Sequence, residues 1–123
     1  MLPRAHRGLQ RSDFHQIYKS GKTLKTAFFR IKTAPIEDSD HQKNRFAVVI
    51  SAKTLKGAVK RNRLRRQIYA ILAEIQPHLQ KQAIIVVVPE QTAIGVDFVI
   101  LRADMIAGLM KIGFLKSDSA RAS

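Results

Sequence analysis

The 123-residue chain contains no cysteine. Disulfides and thiolate metal sites are therefore excluded, and the absence fits a reducing compartment. It also lacks a long hydrophobic run. The longest purely apolar stretch, Ala83 to Pro89, is far too short to span a bilayer. The opening residues Met-Leu-Pro-Arg-Ala-His-Arg have none of the apolar character of a signal peptide. These absences lead us to expect a soluble, cytoplasmic protein with no membrane partner. Acid is scarce as well. There are 9 Asp and Glu against 22 Lys and Arg, a formal net charge of +13. Such an excess repels itself unless a polyanion is the partner.

The scarcity of acid has a location. No acidic residue lies between Asp40 and Glu74, and the first 36 residues contain only Asp13. Lys43, Arg45, Lys53, Lys56, Lys60, Arg61, Arg63, Arg65 and Arg66 fill the acid-free stretch. The C-terminal third is nearly balanced and mostly apolar. This is the distribution of a basic binding face set on a neutral core. Hydrophobic residues make up 46% of the chain, enough for a globular protein. The length suggests one domain, over residues 1–116, with a disordered tail at 117–123.

Turn and cap residues divide the chain. Residues 1–11 read as a basic arm. Ser12 offers an N-cap for a short helix over 12–19, with Phe14, Ile17 and Tyr18 at helical spacing and Ser20-Gly21 closing it. A strand follows within Leu24 to Ala34, ended by Pro35. After the polar segment Glu37-Asp38-Ser39-Asp40, a second strand runs over Phe46–Ser51. These two strands are expected to pair as a hairpin. A long helix then runs from about Gly57 to Gln76 and stops at Pro77. Ala83–Val88 is a strand apolar on both sides, hence central in its sheet. Asp97 is placed to cap a last helix from Phe98 to about Lys111. The expected fold is α+β, a small αββαβα two-layer sandwich.

The long helix is the informative element. At about 100° per residue, Leu64, Ile68, Ile71, Leu72 and Ile75 share one stripe, the core face. Asn62, Arg63 and Arg66 lie on or near the opposite side. Arg61 falls in the extended line of the apolar stripe and Arg65 at its edge, so both are expected to lean over the rim of the sheet. Lys60-Arg61-Asn62-Arg63-Leu64-Arg65-Arg66 sets five cations within seven positions. They repel one another and crowd the N-terminal half, where the helix dipole disfavours them. An external anion is the natural compensation. Arginine's planar fork suits phosphate contacts and base stacking, so the helix reads as an RNA-binding face. A solvated basic face is the plainer alternative. A helix-turn-helix is disfavoured because a strand, not a short helix, precedes it.

With these residues the chain resembles the protein component of bacterial ribonuclease P. The pattern is a strand, Ser51 and Lys53, Ala58-Val59, then Arg61-Asn62-Arg63, Leu64, Arg65 and Arg66, with Asp13-Phe14 upstream. The resemblance implies a left-handed crossover between the parallel strands flanking the helix, against the usual right-handed rule, as in the second domain of ribosomal protein S5. It implies a ribonucleoprotein endoribonuclease whose catalyst is an RNA subunit using Mg²⁺, bound by RNA and substrate rather than by a protein site. The protein would carry no catalytic residue, would help bind precursor tRNA and its 5′ leader, and would raise the affinity for functional metal ions. One protein per RNA is expected. Arg61, Asn62, Arg63, Arg65 and Arg66 would contact the catalytic RNA, with Lys53, Lys56 and Lys60 on phosphates. A cleft between the first helix and the sheet would hold the leader, with Phe14, Tyr18, Phe29 and Lys32 on it. The chain departs from the family pattern at Ala52, Thr54, Lys56-Gly57, Lys32 and Val88.

Two rival readings remain. A structural RNA-binding protein, for example one on ribosomal RNA, would share the basic helix. A protein nuclease would need paired acid and base groups within reach of one phosphate, and His6, His15, His41 and His78 are scattered. The 37–40 acidic cluster lacks a metal loop's glycine spacing and reads as a solvated turn. Phe28 and Phe29 would point to opposite faces of a strand, one into the core.

Overall fold

The computed structural model describes residues 15, 17–19, 21–35, 45–51, 53–79 and 83–115. Four strands, β1 (Lys22–Lys25), β2 (Phe29–Pro35), β3 (Arg45–Val48) and β4 (Ala83–Pro89), form one sheet in the order β1-β2-β4-β3. β1 pairs antiparallel with β2, β2 antiparallel with β4, and β3 parallel with β4. The central helix spans Ala58–Ile75 and the last helix Phe98–Lys111, with 3₁₀ turns at Gln76–His78 and Gln91–Ala93. His15 and Ile17–Lys19 are helical. Ser12, Phe14 and Ser20, the acidic segment 37–40 and the tail from Ser117 lie outside the described residues.

The expected pairing of the first two apolar strands is corrected. β4 lies between β2 and β3, and β2's hairpin partner is β1. The reason is β4 itself. Ala83, Ile84, Ile85, Val86 and Val87 are all buried, alternating between both faces. A strand apolar on both sides is stabilised most with a neighbour on each edge. β1 is a short edge strand, Lys-Thr-Leu-Lys, whose polar composition hides it from a search for apolar runs. β3 is shorter than expected, ending at Val48, although the Val49 amide still donates to the Val87 carbonyl at 3.0 Å.

The helices cover one face of the sheet. Phe29, Ile31, Phe46, Val48, Ile85 and Val87 meet Leu64, Ile68, Ile71 and Leu72 of the central helix and Leu101, Met105 and Leu109 of the last. The five residues of the projected apolar stripe are the five buried residues of the central helix. That helix ends as expected at a turn containing Pro77. The last helix occupies its expected span, but the Asp97 side chain makes no capping bond. Only its carbonyl is used, by the amides of Ile100 and Leu101. The two helices are tied by a two-pronged ion pair, Arg102 Nε to Glu74 Oε2 at 2.7 Å and Nη2 to Oε1 at 2.8 Å. The guanidinium's hydrogen bond holds the Glu74 carboxyl below its usual range.

The last helix also grips the β1–β2 turn. The Thr26 hydroxyl donates to Asp104 Oδ2 at 2.6 Å, and the Phe28 amide donates to the same oxygen at 3.3 Å. The close approach depends on Gly108. A Cβ there would lie 2.8 Å from Thr26 Cγ2 and 3.2 Å from Leu24 Cδ2. Helix propensity alone favours alanine by about 1 kcal/mol, whereas overpacking costs roughly 1–3 kcal/mol. Because Thr26 is held by Asp104 and cannot easily yield, overpacking should win. Gly108→Ala is expected to lower the unfolding midpoint, measured by circular dichroism.

Candidate RNA interface

Gly57, at a φ of 95°, turns the chain into the central helix, which has no side-chain cap and no acid in its first turn. A non-glycine residue is strained at this φ. The cations that follow are thus uncompensated by their own helix. Around the helix its polar residues divide into three groups. Asn62, Arg63 and Arg66 are exposed on the face opposite the core, as projected. Lys60 and Gln67, with Arg63 at the border of the two groups, line the flank toward the loop before the last helix. Arg61 and Arg65, both half-buried, lie on the other flank.

The flanking arginines bond to groups of the chain itself. Arg61 Nη1 donates to the Leu55 carbonyl at 3.0 Å, and Arg65 Nη1 donates to Asn62 Oδ1 at 3.0 Å. Arg61 therefore braces the loop that leads into the helix. That loop is further set by the Ser51 carbonyl, which accepts from the amides of Thr54 and Leu55. It presents Lys53 and Lys56, both exposed. Arg65 orients Asn62. Arg63 and Arg66 have no ion-pair partner among the described residues. These two are free to meet an external phosphate.

On the other face of the sheet is an open cleft of about 530 Å³, bounded by Ile17 and Tyr18 of the first helix, Lys22, and Lys32, Val86 and Val88 of the sheet. It lies where the resemblance puts a leader cleft. Register explains its floor: Lys32 pairs with Val86 and Arg30 with Val88, so their side chains share the face away from the helices. Tyr18 is 93% exposed. Lys32 is exposed too. The first helix closes immediately before β1, where the Gly21 amide donates to the Ile17 carbonyl at 2.8 Å.

Phe29 is a correction. It is 0% exposed and packs in the core under the helices, so no base can stack on it. Strand alternation carries the reason. Phe29 shares its face with Ile31 and Thr33, whereas Arg30 and Lys32 share the other. Phe28 is half-buried against the core at the hairpin turn. Phe14 lies outside the described residues. Lys22 lines the cleft although no local pattern assigns it there, whereas Arg30 shares the same sheet face but is not part of that lining. The Arg30 Nη2 lies 3.4 Å from Glu90 Oε1, and its alternation with Phe29 was the available signal for that face.

A protein-family model described as Ribonuclease P matches residues 2–113 of the chain. The chain is 41% identical over 80 residues to the ribonuclease P protein component of Synechococcus elongatus, a match spanning 64% of this chain and 66% of that protein. It is 32% identical over 111 residues to the same component of a Cyanothece species, covering 80% of this chain and 85% of that one. The RNase P protein from Thermotoga maritima superposes with a TM-score of 0.72 at 27% identity, over 85% of this chain and 96% of that structure. The Staphylococcus aureus protein superposes at 0.77 with 23% identity, over 92% and 100%.

The two roles of the arginines separate by mutation. Arg61→Ala should lower the unfolding midpoint, because the Leu55 carbonyl loses a charged hydrogen-bond donor, a contact worth about 1.5–3 kcal/mol. Arg63→Ala should leave the midpoint unchanged. Thermal unfolding of the two variants side by side checks this.

Proposed function

The chain belongs to the Ribonuclease P family, and from that premise we propose that it serves as the protein subunit of a ribonucleoprotein endoribonuclease that removes the 5′ leader from precursor tRNA. The observation that carries the reading is the outward row on the central helix. Asn62, Arg63 and Arg66 stand exposed, with no acid on the helix's first turn to answer them. In this reading the row, with Lys60 and the loop lysines Lys53 and Lys56, docks on the phosphates of the catalytic RNA. Arg61 and Arg65 act mainly by holding the loop and Asn62 in place.

The leader lies in the cleft on the opposite sheet face. Lys22 and Lys32 attract its backbone, and Tyr18 offers a face on which a base can stack. Two faces of one sandwich thus hold two RNAs, catalyst and substrate, in a fixed relation. No group of three His, Cys, Asp or Glu that could hold a metal ion occurs among the described residues. In this reading Mg²⁺ belongs to the RNA subunit and the substrate, and one protein serves one RNA in the cytoplasm. No described helix is long and apolar enough to cross a membrane.

Purified protein should not cleave precursor tRNA by itself. Added to a bacterial ribonuclease P RNA in Mg²⁺ at moderate salt, it should raise cleavage above that of the RNA alone. The absence of any stimulation would reject the assignment. The double variant Arg63→Ala with Arg66→Ala should bind the RNA subunit more weakly, with a log–log salt slope shallower by about two, since each lost phosphate contact removes about 0.9. An unchanged slope would mean that the helix does not dock on phosphates.

Tyr18→Ala should act differently. Its side chain is almost wholly exposed, so folding should not change. Affinity for precursor tRNA should fall roughly tenfold, the value of one base–aromatic stack. Affinity for a tRNA lacking the leader should not change. Binding titrations of the reconstituted complex with both substrates test this.

A further inference from the structure

A second cleft, of about 430 Å³, lies between the central helix and the loop before the last helix. Lys60, Arg63 and Gln67 form one wall, and Ile94, Asp97 and Phe98 form much of the other. The two walls differ chemically. The helix wall carries two exposed cations and an amide. The loop wall carries an isoleucine that is 42% exposed, a half-buried phenylalanine, and a carboxylate that makes no capping bond.

The loop wall is held in place. The buried Ala93 anchors it, the amides of Ala93 and Ile94 bond back to the carbonyls of Glu90 and Gln91, and Gly95 turns the chain at a φ of 79°. The exposed Ile94 is therefore not a side chain that failed to fold inward. Apolar groups kept at the rim of a basic cleft are a poor match for the continuous phosphate backbone of a duplex. They suit a single base, which has an apolar face and a polar edge.

We propose that this cleft receives one unpaired nucleotide of the RNA subunit, its phosphate on Lys60 and Arg63 and its base between Gln67 and the Ile94–Phe98 wall. The proposal rests on the reading of the chain as a ribonuclease P protein and adds base recognition to a helix otherwise read as a phosphate dock. Asp97 supplies an acceptor for the base edge. A carboxylate only accepts, so it pairs with an N–H donor, either the exocyclic amino group of adenine, cytosine or guanine or the ring N–H of guanine or uracil. The cleft is of the size that takes a small ligand.

The absence of cysteine makes the test direct. An Ile94→Cys variant carrying a photo-crosslinker is bound to ribonuclease P RNA, with and without precursor tRNA, and the crosslinks are mapped. The expected result is one or two unpaired positions of the RNA subunit, the same with and without substrate. In parallel, Gln67→Ala should weaken RNA-subunit binding about tenfold with an unchanged salt slope, because it removes a base contact and not a phosphate contact. Crosslinks to duplex backbone, to precursor tRNA or to nothing, from a variant that still binds the RNA subunit, would overturn the proposal. If Gln67→Ala also lowers the unfolding midpoint, the crosslink map decides. Failure of the unaltered protein to bind ribonuclease P RNA would instead remove the reading on which the proposal stands.

Discussion

β4 needs apolar cover on two faces and a hydrogen-bonding neighbour on two edges, and the remaining elements are arranged around that need. Its inward residues Ile85 and Val87 are covered by the two helices. Its outward residues Val86 and Val88 become the floor of the cleft beside Tyr18. Its edges are closed by β2 on one side and β3 on the other. Because β3 runs parallel to β4, the chain must cross over between them, and the crossover is the arginine-bearing helix. Burial of one aliphatic strand thus places both basic surfaces of the molecule, the helix on one side of the sheet and the cleft on the other.

The basic residues of the central helix do different work despite their adjacency. Arg61 is spent on a main-chain carbonyl, and Arg65 on the orientation of Asn62. Arg63 and Arg66 face outward. An arginine in an internal hydrogen bond loses little of its charge to the outside, so Arg61 still adds to the field that attracts RNA while acting as a brace. The loop carrying Lys53 and Lys56 is positioned by that brace together with the Ser51–Thr54 turn at its start.

Helical periodicity made the central helix legible. Leu64, Ile68, Ile71, Leu72 and Ile75 could be assigned to the core, and Arg63 and Arg66 to the outside, because 3.6-residue spacing depends on the chain alone. The role of Arg61 was not legible, since its partner is a backbone carbonyl, which every residue has. The pairing of β2 with β4 was half legible. Reading Ala83–Val88 as central already required a strand on each side of it, which a β2–β3 hairpin would have denied. Phe29 was legible too, through alternation with Arg30, but a resemblance by residue type outweighed the period. The wall at Ile94–Phe98 is brought to the helix only by tertiary folding, and no local pattern announces it.

β1 has a consequence for the free protein. It is an edge strand whose outer hydrogen-bonding groups face no partner strand among the described residues, and it begins and ends with the exposed Lys22 and Lys25. A second sheet approaching edge to edge would set lysine against lysine. The same charges that draw a polyanion therefore work against growth of the sheet into larger β-aggregates. They do so during the interval between synthesis and assembly, when no RNA is yet present to neutralise the surface.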